Sequence, residues 1–143
     1  MADNTTNNLS VSVQLASGTP GALARRFVKY ETSSPDFREV ITLVPGANGA
    51  FANGILAEDI DTTQADGFYI SSMVIPGGLT EVLCGQTMTQ GAPIRAGGNS
   101  TETDGAAYLA DATGDVIIGY CMADCTAGNI ATIDFVGYAG VVA

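Results

Sequence analysis

The sequence contains no histidine and no tryptophan, and only five of its 143 residues are lysine or arginine. Histidine is the commonest general base and metal ligand, so its absence removes Ser-His-Asp and Cys-His arrangements and histidine metal sites. Carbohydrate sites favour aromatic platforms, and the chain has only five Phe and five Tyr. We therefore expect a protein that is not an enzyme and that needs no cofactor or metal.

The few basic residues are unevenly distributed. Residues 1–57 carry four acids and four basic residues, and the basic ones are Arg25, Arg26, Lys29 and Arg38. Residues 58–143 carry Arg95 alone against eleven acids, and the net charge of the chain is −10. Such a surface repels phosphate, so nucleic acid is not an expected partner. The acids either serve solubility alone, or they face solvent while the basic stretch at residues 25–38 docks on an acidic partner.

Long apolar runs are also missing. No segment approaches the ~18 apolar residues that a membrane span needs, so no membrane partner is expected. Residues 1–8 are polar, lack the basic and apolar regions of a secretion signal, and are interpreted as a flexible N-terminal arm. These features predict synthesis in the cytoplasm.

Three cysteines, Cys84, Cys121 and Cys125, are an odd number that suits a reducing compartment. If Cys121 and Cys125 lie on one extended strand, their Cα atoms are about 13 Å apart. That distance exceeds the ~7 Å limit for a disulfide, so we expect free thiols packed as small hydrophobic groups. Their spacing differs from zinc motifs, and the acidic segment 59–67 lacks the glycine and glutamate of a calcium loop.

What the sequence does contain is a series of short strand patterns. Leu9–Leu15 alternates perfectly between apolar and polar residues, as a half-buried strand does. Further strands are predicted at 39–44, 54–57, 68–75, 79–84, 93–96, 106–110, 116–122 and 130–138. Residues 22–30 fit either a short helix or a strand, and the strand is preferred because of Phe27, Val28 and Tyr30.

Turn-forming residues separate these strands every 8–15 residues. Strands at that spacing predict an all-β protein, a single compact β-barrel or sandwich with short Gly-rich turns. The domain is expected to span residues 9–143 without an internal linker.

The last third of the chain resembles the capsid decoration, or head cement, proteins of tailed bacteriophages. The resemblance is carried by four segments: residues 91–95 (GAPIR), 105–110 (GAAYLA), 113–120 (TGDVIIGY) and 127–129 (AGN). Pro93 suits the start of a strand, Gly114 a tight turn, and Gly119 a bulge or close backbone approach.

This resemblance implies a virion structural protein that binds the outer surface of an assembled head and stabilises it. The implied partners are the major capsid protein and further copies of the chain, most often in trimers. The alternative is another phage structural β-domain, from a tail or fibre, that binds host glycans.

An alternating strand can bind a partner by adding to an exposed sheet edge. The candidate contact residues are therefore those of the first strand and of the basic stretch: Leu9, Val11, Val13, Leu15, Arg25, Arg26, Lys29 and Arg38. In this hypothesis residues 1–15 serve mainly for docking and contribute little to the fold.

Overall fold

The computed structural model describes residues 10–15, 24–30, 39–42, 48–57, 70–98 and 101–143. Every regular element within these ranges is a β-strand, which confirms the all-β prediction. The strands are β1 (Ser10–Leu15), β2 (Phe27–Tyr30), β3 (Glu39–Thr42), β4 (Gly54–Leu56), β5 (Ile70–Val74), β6 (Gly78–Leu83), β7 (Pro93–Ala96), β8 (Ala107–Leu109), β9 (Val116–Cys121) and β10 (Ile130–Val141).

The ambiguous segment 22–30 is described from residue 24 onward, and there it turns and then forms strand β2. The turn contains Arg25, which has a positive φ of 61°, an uncommon conformation for a residue with a side chain. The backbone N–H of Arg25 donates to Leu56 (2.7 Å), and its carbonyl accepts from Leu83 (2.8 Å). Arg25 therefore ties the end of β4 to the end of β6.

Strands β1 to β5 form a ring in which the pairing closes on itself, in the order β1-β3-β2-β4-β5. Strand β1 pairs antiparallel with β5 along residues 10–14, and its last two residues pair parallel with β3. The other neighbours in the ring are antiparallel.

This pairing corrects the hypothesis that the first strand is spare for docking, because Ser10–Leu15 completes the protein's own ring. The contact role of Val11, Val13 and Leu15 stays a prediction. Leu9 and the predicted arm at residues 1–8 lie outside the described residues.

Strands β6 to β10 form a second, antiparallel sheet in the order β6-β10-β9-β7-β8. Strand β10 is 12 residues long and lies between β6 and β9. Its pairing with β9 has a register shift between Phe135 and Gly140. A Cβ atom on Gly119 would lie 2.4 Å from the carbonyl oxygen of Asp134, which confirms the close approach predicted for this glycine.

The ring and the sheet pack against each other around one core, in a sandwich-like arrangement. The rings of Phe27 on β2 and Phe135 on β10 are 5.7 Å apart in a tilted geometry, and both side chains are fully buried. The N–H of Phe27 also donates to the carbonyl of Gly105 in the loop before β8 (2.7 Å). Large core side chains come from both units: Ile55 from the ring, and Val82, Ile94, Ile118 and Ile133 from the sheet.

Deleting residues 1–15 is expected to open the ring, because it removes the strand that joins β3 to β5. We expect the midpoint of thermal unfolding to fall by about 10 °C or more, measured by circular dichroism. Deleting residues 1–9 leaves β1 intact and is the matched control, with an expected change below about 2 °C. Equal midpoints for the two truncated proteins would show that β1 is dispensable for the fold.

Candidate interaction surface

The face of the second sheet that points away from the core is formed by aligned residues of four strands. Asp134 on β10 is paired with Leu79 on β6 and with Tyr120 on β9, and Tyr120 is paired with Pro93 on β7. Neighbouring residues on β10, such as Ile133, are buried in the core, since side chains alternate between the two faces of a strand. We define the outer face by nine residues: Leu79, Glu81, Leu83, Pro93, Tyr120, Met122, Ile130, Thr132 and Asp134.

Large apolar side chains on the outer face are accessible to solvent. Tyr120 is 37% exposed, Met122 41% and Ile130 43%. Met122 and Thr132 are neighbours, because the N–H of Met122 donates to the Thr132 carbonyl (3.0 Å). Contiguous exposed apolar patches mark interaction sites, and Tyr and Met are enriched at protein–protein interfaces. The outer face therefore has the composition of a protein contact.

Two carboxylates lie within this apolar face. Glu81 is paired with Thr132, and Asp134 lies one row further along the same strands. Both are half-buried. Among the described residues, neither carboxylate forms an ion pair. The outer face thus combines apolar area with two negative charges. Neither charge is paired with a cation from the part of the chain that the structure describes.

A second exposed apolar area follows where β10 bulges away from β9. Val136 and Tyr138 are exposed there, and Phe51 is exposed on the loop before β4. Gly137 has a φ of +87°, and a Cβ on it would lie 2.8 Å from the Pro76 side chain. The bulge is therefore held by close packing and extends the apolar surface beyond the end of β6.

Three of the predicted basic contact residues, Arg25, Arg26 and Lys29, lie on or beside the ring, and none of these three belongs to the outer face. Arg26 donates from Nη1 to the carbonyl of Asp104 (2.9 Å), so it links the ring to a loop of the second sheet. Lys29 is exposed on β2. Arg38 lies outside the described residues. The roles of Arg25, Arg26 and Lys29 in a contact stay predictions.

Arg95, which was not among the predicted site residues, organises a buried polar network. Its guanidinium binds both Glu102 oxygens (2.9 and 2.6 Å), and its Nε lies 3.5 Å from Asp115 Oδ2. It also lies over the ring of Tyr108, 5.5 Å from the centroid. Hydrogen bonding to Glu102 raises the pKa of Arg95, so the guanidinium remains charged.

Asp115 is only 2% exposed and completes this network. Its Oδ2 accepts the backbone N–H groups of Asp111 (3.1 Å) and Ala112 (3.0 Å). The Arg95 network thus fixes the loops on both sides of β8. The sequence shows Arg95 as the sole cation among the acids of residues 58–143, and the network itself was not predicted.

All three cysteines are free, as predicted, and Cys84 and Cys121 are buried. Burial, together with the neighbouring Cys125 thiol, raises the pKa of Cys84 to about 11, and burial also raises the pKa of Cys121. The extended geometry assumed for residues 121–125 is wrong. Strand β9 ends at Cys121, the next two residues bend, and Cys125 forms a β-bridge with Met88.

No three His, Cys, Asp or Glu side chains within the described ranges are grouped so that they could hold a metal ion. No helix in the same part of the chain is long and apolar enough to cross a membrane.

Comparison with known proteins gives a likeness in fold. The chain is similar to the N base of the head fibre protein gp8.5 of bacteriophage phi29, with a TM-score of 0.65 and 17% sequence identity. The likeness covers 92% of this chain and 96% of that one. No family model and no curated protein sequence matches the chain.

The raised pKa of Cys84 predicts a loss of stability at alkaline pH. Above pH 9 the unfolded chain releases this proton, whereas the folded protein retains it up to about pH 11. Folded protein then binds more protons than unfolded protein, so the free energy of unfolding falls as pH rises through this window. Urea denaturation from pH 8 to 11 should show that the free energy of unfolding falls less steeply with pH in Cys84→Ala than in the wild type. Parallel pH dependences of the two proteins would contradict the raised pKa of Cys84.

The Arg95 network predicts a large difference between two cation substitutions. Arg95→Met leaves Glu102 and Asp115 buried without their cation and should cost about 3–5 kcal/mol of unfolding free energy. Lys29→Met removes an exposed cation and should change it by less than about 0.5 kcal/mol. The loss of unfolding free energy in Arg95→Lys should lie between those of the two Met variants, because an ammonium group cannot bind both Glu102 oxygens in parallel. Equal effects of the two Met variants in urea denaturation would show that the network contributes nothing.

Proposed function

We propose that the protein is a structural component of a tailed-bacteriophage virion that binds the outer surface of the assembled head. The observation that carries this proposal is the likeness in fold to a phage head fibre base, which extends over nearly the whole of both chains. A head fibre base and a decoration protein share one requirement, a stable β-domain that is held on the virion by protein contacts. The outer face of the second sheet offers a surface of that kind.

The resemblance to head decoration proteins supports the same function from a separate set of residues. Pro93 is the first residue of β7, a position at which a strand tolerates proline. Gly114 and Gly128 have φ values of +95° and +89°, so each occupies a turn that favours glycine. A strand start at Pro93 and turns at Gly114 and Gly128 support the resemblance.

The head-binding protein is proposed to stabilise the shell by bridging capsid subunits, with the major capsid protein as partner and trimers as the assembled form. The likeness to a fibre component also favours a second function, a tail or fibre domain that binds host glycans. Tyr120 on the outer face, and Tyr138 and Phe51 in the second apolar area, are the exposed aromatic side chains of the described residues on which a sugar could stack.

Mixing the purified protein with virion parts separates these functions. Heads prepared from the encoding phage with this gene deleted should bind the protein to saturation, as measured by sedimentation through a sucrose gradient. Wild-type heads are the matched control and should bind less, because their sites are already occupied. Binding to isolated tails or to a glycan array, with none to heads, would contradict the head-surface function and support the second one.

A further inference from the structure

We propose that the outer face of the second sheet docks on a protein surface that presents lysine or arginine among apolar side chains. This inference deepens the proposed function and rests on it only for the origin of the partner, the head surface. The chemistry of the partner follows from the outer face itself.

The apolar part of the outer face indicates a protein partner. Tyr120, Met122 and Ile130 are each more than one-third exposed, and they lie on or at the ends of two adjacent strands. Leu79 and Leu83 on β6 are half-buried beside them and widen the patch. Covering such a surface removes apolar area from water, which favours association by about 25 cal/mol per Å² before the costs of binding are subtracted.

The two carboxylates determine the charge of the partner. A contact that covers Tyr120 also covers Asp134, because the two residues are paired on adjacent strands. Burying a carboxylate is unfavourable unless a cation or several hydrogen-bond donors reach it. No cation of the described residues forms an ion pair with Glu81 or Asp134, so both charges are open to a cation that the partner presents.

A second copy of the same face is a poor occupant. In a symmetric contact the same patch meets itself, so Glu81 and Asp134 would approach the same carboxylates of the other copy. The net charge of −10 adds repulsion between copies. Arg95, the sole cation of residues 58–143, is held by Glu102 and Asp115. A basic and apolar surface of another protein satisfies all of these constraints.

Conservative neutralisation of Asp134 tests the charge requirement. Asp134→Asn should weaken binding to gene-deleted heads about 30-fold, because the partner's cation is left without its counter-charge. Asp104→Asn is the matched control: it removes the same charge from an exposed position in the loop before β8, which is outside the outer face, and should change the affinity less than about threefold. Binding of the wild type should weaken with added salt, and the Asp134→Asn substitution should reduce that dependence.

Truncation of the apolar residues tests the surface. The double variant Tyr120→Ala, Met122→Ala should bind heads about 30-fold more weakly or worse and retain the wild-type circular dichroism spectrum. Lys29→Ala should bind normally, and a loss confined to Lys29→Ala would place the contact on the basic stretch. Normal head binding by both outer-face variants would overturn the inference while leaving the proposed function intact.

A peptide of alternating lysine and leucine provides a test that does not depend on heads. Titrated into isotope-labelled protein, it should shift the NMR signals of β9 and β10 first, and Asp134→Asn should weaken its binding more than Asp104→Asn. Equal weakening by the two variants would overturn the inference, even if heads bind the protein. Analytical ultracentrifugation tests whether the protein dimerises through the outer face. Dimers that the outer-face variants abolish would overturn the inference of a basic partner and show that a second copy of the chain binds this face.

Discussion

Strand β10 is the element on which both the core and the candidate interaction surface depend. Because side chains alternate along a strand, Ala131, Ile133 and Phe135 point into the core while Ile130 and Asp134 point outward. A shift of one residue in its pairing would exchange these two sets. The register is held from both sides, by β6 and by β9, and the missing Cβ of Gly119 lets β9 approach the carbonyl of Asp134.

The packing of the two units gives the outer face a rigid support. Phe27 and Phe135 are in contact in the interior, and the turn at Arg25 joins the ends of β4 and β6 by backbone hydrogen bonds. The Arg95 network fixes the loops around β8 at the other side of the sheet. A surface that is already ordered loses little conformational entropy on binding, so more of its contact energy appears as affinity.

Local sequence patterns predicted much of this structure. Alternation and turn residues located the strands to within a few residues, and the strand interpretation of Phe27–Tyr30 was correct. Gly119 was identified as a point of close approach, and the cysteines as free thiols. The strands and turns depend on neighbouring residues alone, which is why one sequence suffices for them.

Features that depend on residues far apart in the chain were not predicted. The parallel pairing of β1 with β3 brings residues 14–15 to residues 39–40, and no local pattern encodes that choice. Arg95, Glu102 and Asp115 resemble ordinary surface charges in the sequence, because burial is a property of the assembled fold. Ile130 and Val136 resemble core residues, since an apolar side chain looks the same in sequence whether the fold covers it or leaves it for a partner.

The outer face of the second sheet is proposed to attach the protein to a virion head. A cryo-electron microscopy reconstruction of decorated heads tests this most directly, because it shows which side of the protein contacts the shell. We expect Tyr120, Met122 and Asp134 to lie at the contact, with a lysine or arginine of the shell beside Asp134. A bound protein whose outer face points to solvent, with the ring against the shell, would contradict it.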